Sequence, residues 1–388
     1  MATEDATGRL TINLTTADPD FLFKLTEYAF TAPVPPGTPD RPVSTHPVAG
    51  TGPYRIAAVS PKQIVFERNP FFREWSHAAQ PAGNPDRVIL AYSPSHAVTA
   101  QSIVAGKADW SLDLIPPAEL RQLELIHPAL LHSNPALIVE FLPLNTHAPP
   151  FNDIRVRRAL NLALDRGRIA DMYGGPTVAS PACHPLTPGM PGYRRYYPYT
   201  REPRPDGAWS APDLIRARRL VAGSGTRGQR VDVWGTDDEF AIPRGEPAYV
   251  ASVLRSLGYR THLHITPVND ITTAMRRRLQ LSVDGDWAAE YPDPSSYLPQ
   301  FFGCEGGLSN GYYCSPSLDR EMRTASLLEL TSPRSAEAAW TDIDHRLADD
   351  AAWVPTVDLR AVELVSPRLR NYQFNPVWGF LADQVWLR

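Results

Sequence analysis

Lysine is almost missing from this chain: Lys24, Lys62 and Lys107 are the whole supply, while Lys and Arg together number 38. That imbalance points to a GC-rich coding sequence more than to a function. Asp and Glu number 42, giving a formal net charge of −4 with no long run of one sign, so nucleic acid is not an expected partner. No apolar run reaches the roughly 18 residues of a membrane span. The opening MATEDATGRL has no basic segment followed by an apolar one, and no secretory signal is read there. Neither GxxxxGK(S/T) nor HExxH occurs, no glycine-rich phosphate fingerprint opens a helix of the alternating second half, and GTDDEFAIPRG after Trp234 lacks GxGxxG as well. No nucleotide or other cofactor, no metal and no catalysis are therefore expected. What is present is length and proline. A chain of 388 residues is too long for one simple core and suits two lobes. Hydrophobic content of 43% with 21% charged residues is that of a soluble globular protein. Its 40 prolines are about twice the usual share of roughly 5%, which favours many rigid connections.

The most informative stretch runs from Asn145 to Asp165, NTHAPPFNDIRVRRALNLALD. Pro149 and Pro150 hold it extended at first. Asp153 stands where a helix N-cap belongs. Val156, Ala159, Leu160, Ala163 and Leu164 then follow at the spacing of one buried helix face, with Arg155, Arg157 and Arg158 on the other side. Pattern alone fits any strand-to-helix junction. Other strings stand around it in order. Leu10, Ile12 and Leu14 alternate with polar residues as in an amphipathic strand, FLFKLTEYAF reads as a helix, and APVPPGTPDRP as a loop. Gly50-Thr51-Gly52-Pro53-Tyr54-Arg55-Ile56 turns into a strand whose hairpin partner is KQIVFERN. After Glu67-Arg68-Asn69-Pro70 come a strand at Arg87–Leu90, a helix end at Ile103–Asp109 capped by Gly106, and Ile115-Pro116-Pro117.

Taken together, these strings resemble the extracytoplasmic solute-binding proteins of family 5, the oligopeptide/dipeptide/nickel class of ABC transporter substrate-binding proteins. The resemblance covers essentially the whole chain and implies an α/β, two-lobed periplasmic-binding-protein-like fold of class II type with mixed sheets. It places residues 1–145 in the first lobe, 146–355 in the second, and 356–388 back in the first, the crossover being Asn145–Asp165. It also implies on the order of a hundred further residues upstream, so the first lobe is expected to be incomplete. The chain is then a fragment, a late-start gene product or a piece of a fusion.

Beyond the crossover, Arg166–Met172 reads as a short helix closed by Gly174-Gly175, and PACHPLTPGMPGYRRYYPYT as an irregular surface loop. Cys183 and His184 in that loop are adjacent in sequence, which does not make a nucleophile–base pair. Relatives in the family often carry a second cysteine near position 197. Tyr197 stands there, so Cys183 is expected to be a free thiol. Strands at Val231–Trp234, Arg260–Ile265 and LQLSVDGD alternate with helices at Glu246–Leu257 and Ile271–Arg278, the pattern of a parallel or mixed sheet. Leu318–Asp350 is helical, and Trp353–Val357 leads back toward the first lobe, where Val377–Trp386 finishes.

The binding chemistry is concentrated in DWAAEYPDPSSYL, residues 286–298. Trp287 and Tyr291 offer aromatic faces suited to a cleft, and Glu290 lies between them. The string is similar to the family's WxADYxxP, whose aspartate pairs with the ammonium of a bound peptide; Glu290 stands at that aspartate's place, one methylene longer. The resemblance therefore implies a ligand site at Trp287, Ala288, Glu290 and Tyr291, with Asn145 on the crossover strand as a further polar contact. Cys304 and Cys314 bracket nine residues without CxxC spacing or a histidine in range, so a disulfide is the better reading than zinc. It would stabilise by roughly 2–3 kcal/mol and needs an oxidising compartment.

The function these readings imply is capture of a peptide or other small solute for the membrane permease subunits of an ABC importer, outside the cytoplasm and at the membrane. A ligand-sensing module fused behind a regulatory domain, and then cytoplasmic, is the alternative; the coding sequence upstream of Met1 separates the two. A hydrolase on an unfamiliar scaffold is a third class, against which stand the missing HExxH and the lack of a His–carboxylate constellation that spacing alone supports.

Overall fold

In the computed structural model of this chain, the crossover helix forms at Ile154–Ala163 for the reasons its sequence gives. The Asp153 carboxylate accepts from the Arg155 amide at 2.8 Å, and Val156, Ala159, Leu160, Ala163 and Leu164 are buried. The structure describes residues 2–4, 7–27, 31–41, 47–111, 115–236, 243, 245–267, 279–283, 285–305 and 313–388.

One expectation about this helix is corrected. Arg157 is buried, not on the outer face. Its guanidinium donates to the carbonyls of Phe151, Asp350 and Ala351, while Arg158 donates to that of Asp349. These last carbonyls close the helix Pro333–Asp349, whose final turn has no intrahelical donors left and carries the negative end of the helix dipole. Periodicity sees a charge and assigns it to water; the buried fork is satisfied by a helix end far away in sequence.

Two long strands form the middle of the molecule. Leu131–Pro143 and Trp353–Leu364 pair antiparallel from Leu131 opposite Leu364 to Pro143 opposite Trp353, with bulges after Pro355 and Leu359. Gly285–Ala288 adds to the free edge of the first strand and Ala179–Pro181 to that of the second, all antiparallel. Alternation sends successive side chains to opposite faces. Leu142 and Leu144 join the core around the crossover helix. Leu137, Val139 and Phe141 join a second core with Tyr297, Phe302, Trp340 and Trp353.

Arg230–Thr236 is flanked in parallel by Leu281–Val283 and Arg260–Thr266, the mixed α/β arrangement the sequence implies. The helix Glu246–Ser256 connects two of these strands and buries Val250 and Leu254 against Val231 and Val233. The run LQLSVDGD is not one strand: Leu281–Val283 belongs to the parallel sheet and Gly285–Ala288 to the central one. The helix expected at Ile271–Arg278 lies outside the described residues. Leu318–Asp350 divides into two helices, Pro316–Glu329 and Pro333–Asp349. Near the N-terminus the strand is Arg9–Thr11, shorter than the alternation suggests, and the helix is Phe21–Lys24. The hairpin Tyr54–Ser60 with Gln63–Arg68 forms as read and gains Arg87–Ala91 as a third strand.

The proline-rich run from Pro181 to Thr200 is not the surface loop its composition suggests. Cys183, His184, Leu186, Met190 and Tyr199 in it are buried. Its backbone is paired where it dives inward: the Ala182 amide donates to Thr356 O, and that of Leu186 to the Asp344 carboxylate at 2.9 Å. No described helix is long and apolar enough to cross a membrane.

Candidate functional site

Trp287 sits opposite Val139 on the short strand Gly285–Ala288. The approach is close because residue 285 is glycine: a Cβ there would lie 2.6 Å from Phe141 O. Trp287 shares the face of Val139 and meets the Phe301 ring edge-on at 5.0 Å, which fixes the indole. Ala288, one residue on, points to the other face and is exposed. The chain leaves the strand at Ala289, whose amide donates to Leu137 O, and turns through Glu290.

Glu290 is half-buried, and its Oε2, screened from solvent, has no hydrogen-bond partner among the described residues. Burial raises its pKa; its own amide and the nearby Trp287 indole oppose that, and the Glu27 carboxylate adds to it. The Trp287 Nε1–H is buried too and does not reach hydrogen-bonding geometry with any described acceptor. A carboxylate and an indole N–H thus sit side by side, each with unused capacity.

Tyr291 closes the other side. It is buried and stacks on Phe23 with ring centroids 5.4 Å apart and planes 2° from parallel. Ser295 Oγ lies 3.5 Å from the Tyr291 hydroxyl and donates to Asp20 Oδ2 at 2.6 Å. The segment around Phe21–Lys24 therefore lies over the loop that carries Glu290. Behind them, Asp293 caps the turn Pro294–Ser296 through the Ser295 amide. Burial pushes Asp293 up to about 6 and Glu329 to about 7. With Asp20 these two bring three carboxylates within 4.8 Å of one another.

The remaining expected site residue, Asn145, is elsewhere. Ala288 pairs with Ile138. Asn145 is further along the same chain, past Pro143, and at about 3.3 Å per residue that is roughly 20 Å away. It is buried, its amide donates to Gln280 O, and its Oδ1 accepts from the His147 amide, so it shapes the turn out of the strand. Cys304 and Cys314 are bonded, with Cα atoms 4.5 Å apart, and the Cys304 amide donates to Asp319 in the first turn of Pro316–Glu329. Residues 306–312 of the bracketed loop lie outside the described residues.

Cys183 is free, as expected, and fully buried, its thiol pushed up to about 11 by desolvation. It is no nucleophile at neutral pH. His184 does have an orienting carboxylate, which sequence adjacency could not reveal: Asp344 Oδ2 stands 2.7 Å from Nδ1, both groups buried. A shallow depression lined by Pro149, Asn152, Asp153, Ile154, Thr226 and Gln229 lies at the start of the crossover helix. Its carboxylate, Asp153, is committed to Arg155 and the helix amide. Sequence reasoning also missed Asp20, Phe23, Ser295 and Glu329. The Asp18-Pro19-Asp20 turn before an aromatic run is visible, but not that it lands 275 residues away.

The sequence model of the family described as "Bacterial extracellular solute-binding proteins, family 5 Middle" matches residues 2–309. Among characterised relatives, "Probable di/tripeptide-binding protein 5" of Pseudomonas aeruginosa (strain UCBPP-PA14) is 25% identical over 88% of this chain and 61% of its own length. "Periplasmic oligopeptide-binding protein OppA" of Escherichia coli (strain K12) is 26% identical over 93% of this chain and 66% of its own length. The chain thus spans just under two thirds of these relatives. Among solved structures, "Clavulanic acid biosynthesis oligopeptide binding protein 2" superposes with a TM-score of 0.82 at 22% identity, covering 97% of this chain and 69% of that one. "MppA Periplasmic Murein Tripeptide Binding Protein, Unliganded Open Form" gives 0.73 at 20% identity, covering 97% and 71%. The fold is the two-lobed one of the periplasmic binding proteins.

Proposed function

The chain belongs to the bacterial extracellular solute-binding proteins of family 5, and from that premise we propose that it captures a peptide or peptide-like solute between its lobes for an ABC importer. Glu290 takes the ligand's ammonium, and Trp287 and Tyr291 wall the site. The observation that carries this is the buried Oε2 of Glu290 without a partner, beside an indole N–H in the same condition. A buried acceptor left unmade is costly, and an arriving ammonium satisfies it with a charge-assisted bond. The relatives' names, which speak of dipeptides, tripeptides and oligopeptides, agree in ligand class.

In this reading residues 1–145 and 356–388 make one lobe and 146–355 the other. Two contacts support the grouping of the chain's two ends: Trp110 stacks on Phe380 at 4.4 Å, and Arg368 pairs with Asp109 at 2.7 Å. Closure follows if the ligand touches both lobes and so favours the closed state. Partners are the importer's permease subunits, and the place of work is outside the cytoplasm, at the membrane.

Calorimetry with a mixed di- to pentapeptide library tests the reading. Glu290→Gln should cost about 2–5 kcal/mol of binding, and Glu290→Asp should be tolerated better. Equal heats for wild type and Glu290→Gln would remove Glu290 from the site.

A further inference from the structure

On the outer edge of the parallel sheet, away from Glu290, three metal-ligating side chains converge. The strands Arg230–Thr236 and Arg260–Thr266 are in register with Asp232 beside His262 and Trp234 beside His264. His262 and His264 are two residues apart, so they share a face with Asp232. Asp232 Oδ1 stands 2.8 Å from His264 Nε2 and 3.7 Å from His262 Nδ1, and one donor atom from each side chain fits within 4.8 Å of the others. Donors about 2.1 Å from a tetrahedral ion stand roughly 3.4 Å from one another, and the observed separations lie either side of that figure. Trp234 holds the His264 ring in a stack at 4.1 Å and 11°.

Arg230 shows which way the lone pairs point. Its guanidinium donates to Asp232 at 2.7 Å and reaches His262 Nδ1 at 3.0 Å. Arginine can only donate, so Nδ1 accepts and His262 is neutral there, its lone pair directed at the same spot as the carboxylate. A positive group already bridges two of the three donors, Asp232 and His262. The guanidinium is well exposed and has open solvent to swing into.

We propose that Asp232, His262 and His264 form a binding site for a divalent transition ion of the zinc and nickel class, with Arg230 as its occupant in the metal-free protein. Two imidazoles and one carboxylate suit borderline ions and leave positions for water. Ligation requires His264 Nε2 to give up the proton it shares with Asp232, and Arg230 to move out. The expectation of no metal rested on cysteine spacing and HExxH, neither of which sees neighbours across parallel strands.

The test is titration of the whole, untagged, metal-stripped chain with Co2+ followed by visible absorption, and with Zn2+ by calorimetry. Wild type should take one equivalent with a visible cobalt band. His264→Gln and His262→Gln should each lose at least tenfold in affinity, and Asp293→Asn, in the separate group of carboxylates, should not. Arg230→Gln should bind several-fold tighter, a gain that misfolding cannot produce. Absence of a cobalt band, zinc binding indifferent to both histidine variants, or an unchanged affinity in Arg230→Gln overturns the proposal.

Discussion

The crossover helix and the three-stranded sheet Tyr54–Ala91 were equally plain in the sequence, yet they differ in what holds them. Leu160 in the helix is 0% exposed, and both neighbouring strands and helices close over it. In the sheet, Ile56, Val59 and Ile89 remain exposed, the last at 51%. Its order comes from the Ser60–Gln63 turn, the ladder, and ties such as the Arg68 guanidinium, which donates to the carbonyls of Gly83 and Asn84. Turn chemistry suffices to shape a hairpin, whereas burial decides how much a side chain is worth.

That contrast can be broken by substitution. Leu160→Ala should destabilise by about 2–5 kcal/mol, since it deletes buried methyls where the surroundings are packed from several elements; urea unfolding measures it. A loss under 1 kcal/mol would mean the crossover core is loose. Next in size is a pH effect on the central sheet, at the strand Trp353–Leu364. Asp358 is fully buried and its carboxyl is pushed up to about 8 by desolvation, with the protonated His184 pulling it down and the Asp344 carboxylate pushing it up. The folded pKa lies above the unfolded one, so the stability it supports is complete below about pH 4 and is lost as pH rises toward 8. Asp358→Asn should gain on wild type by up to about 1.4 kcal/mol per pH unit across that window. Unfolding at pH 5 and pH 8 decides it, and a difference independent of pH refutes the buried acid. Smallest is Ile89→Thr, expected within about 0.5 kcal/mol of wild type; a larger loss would show that the exposed face of this sheet is covered in solution.

The same contrast explains what could be read in advance. Helix Ile154–Ala163 and its cap are local, so spacing and one aspartate suffice. Arg157 could not be placed, because its acceptors belong to residues 350 and 351. Nor could Pro181–Thr200, whose burial depends on Asp344 and Thr356 reaching its amides. At the candidate site, the pair Trp287 and Glu290 was legible as a string of residue types on one turn. Its lid was not, since the Phe23–Tyr291 stack joins segments that share no periodicity. Asn145 stands apart from Trp287 and Glu290 because a strand's length, not its order in the chain, separates its two ends.

The paired strands Leu131–Pro143 and Trp353–Leu364 also impose a timetable on the ribosome. Thr356 Oγ donates to Glu140 O across 216 residues of sequence, and Arg360 reaches Ser133 across 227. At about 5–20 residues per second, the first strand emerges ten seconds or more before its partner exists. Its second half, Ala136 to Pro143, is buried in the finished protein apart from the partly exposed Ile138 and must stay uncommitted through that interval. The central sheet therefore cannot close until Trp353–Leu364 has been made.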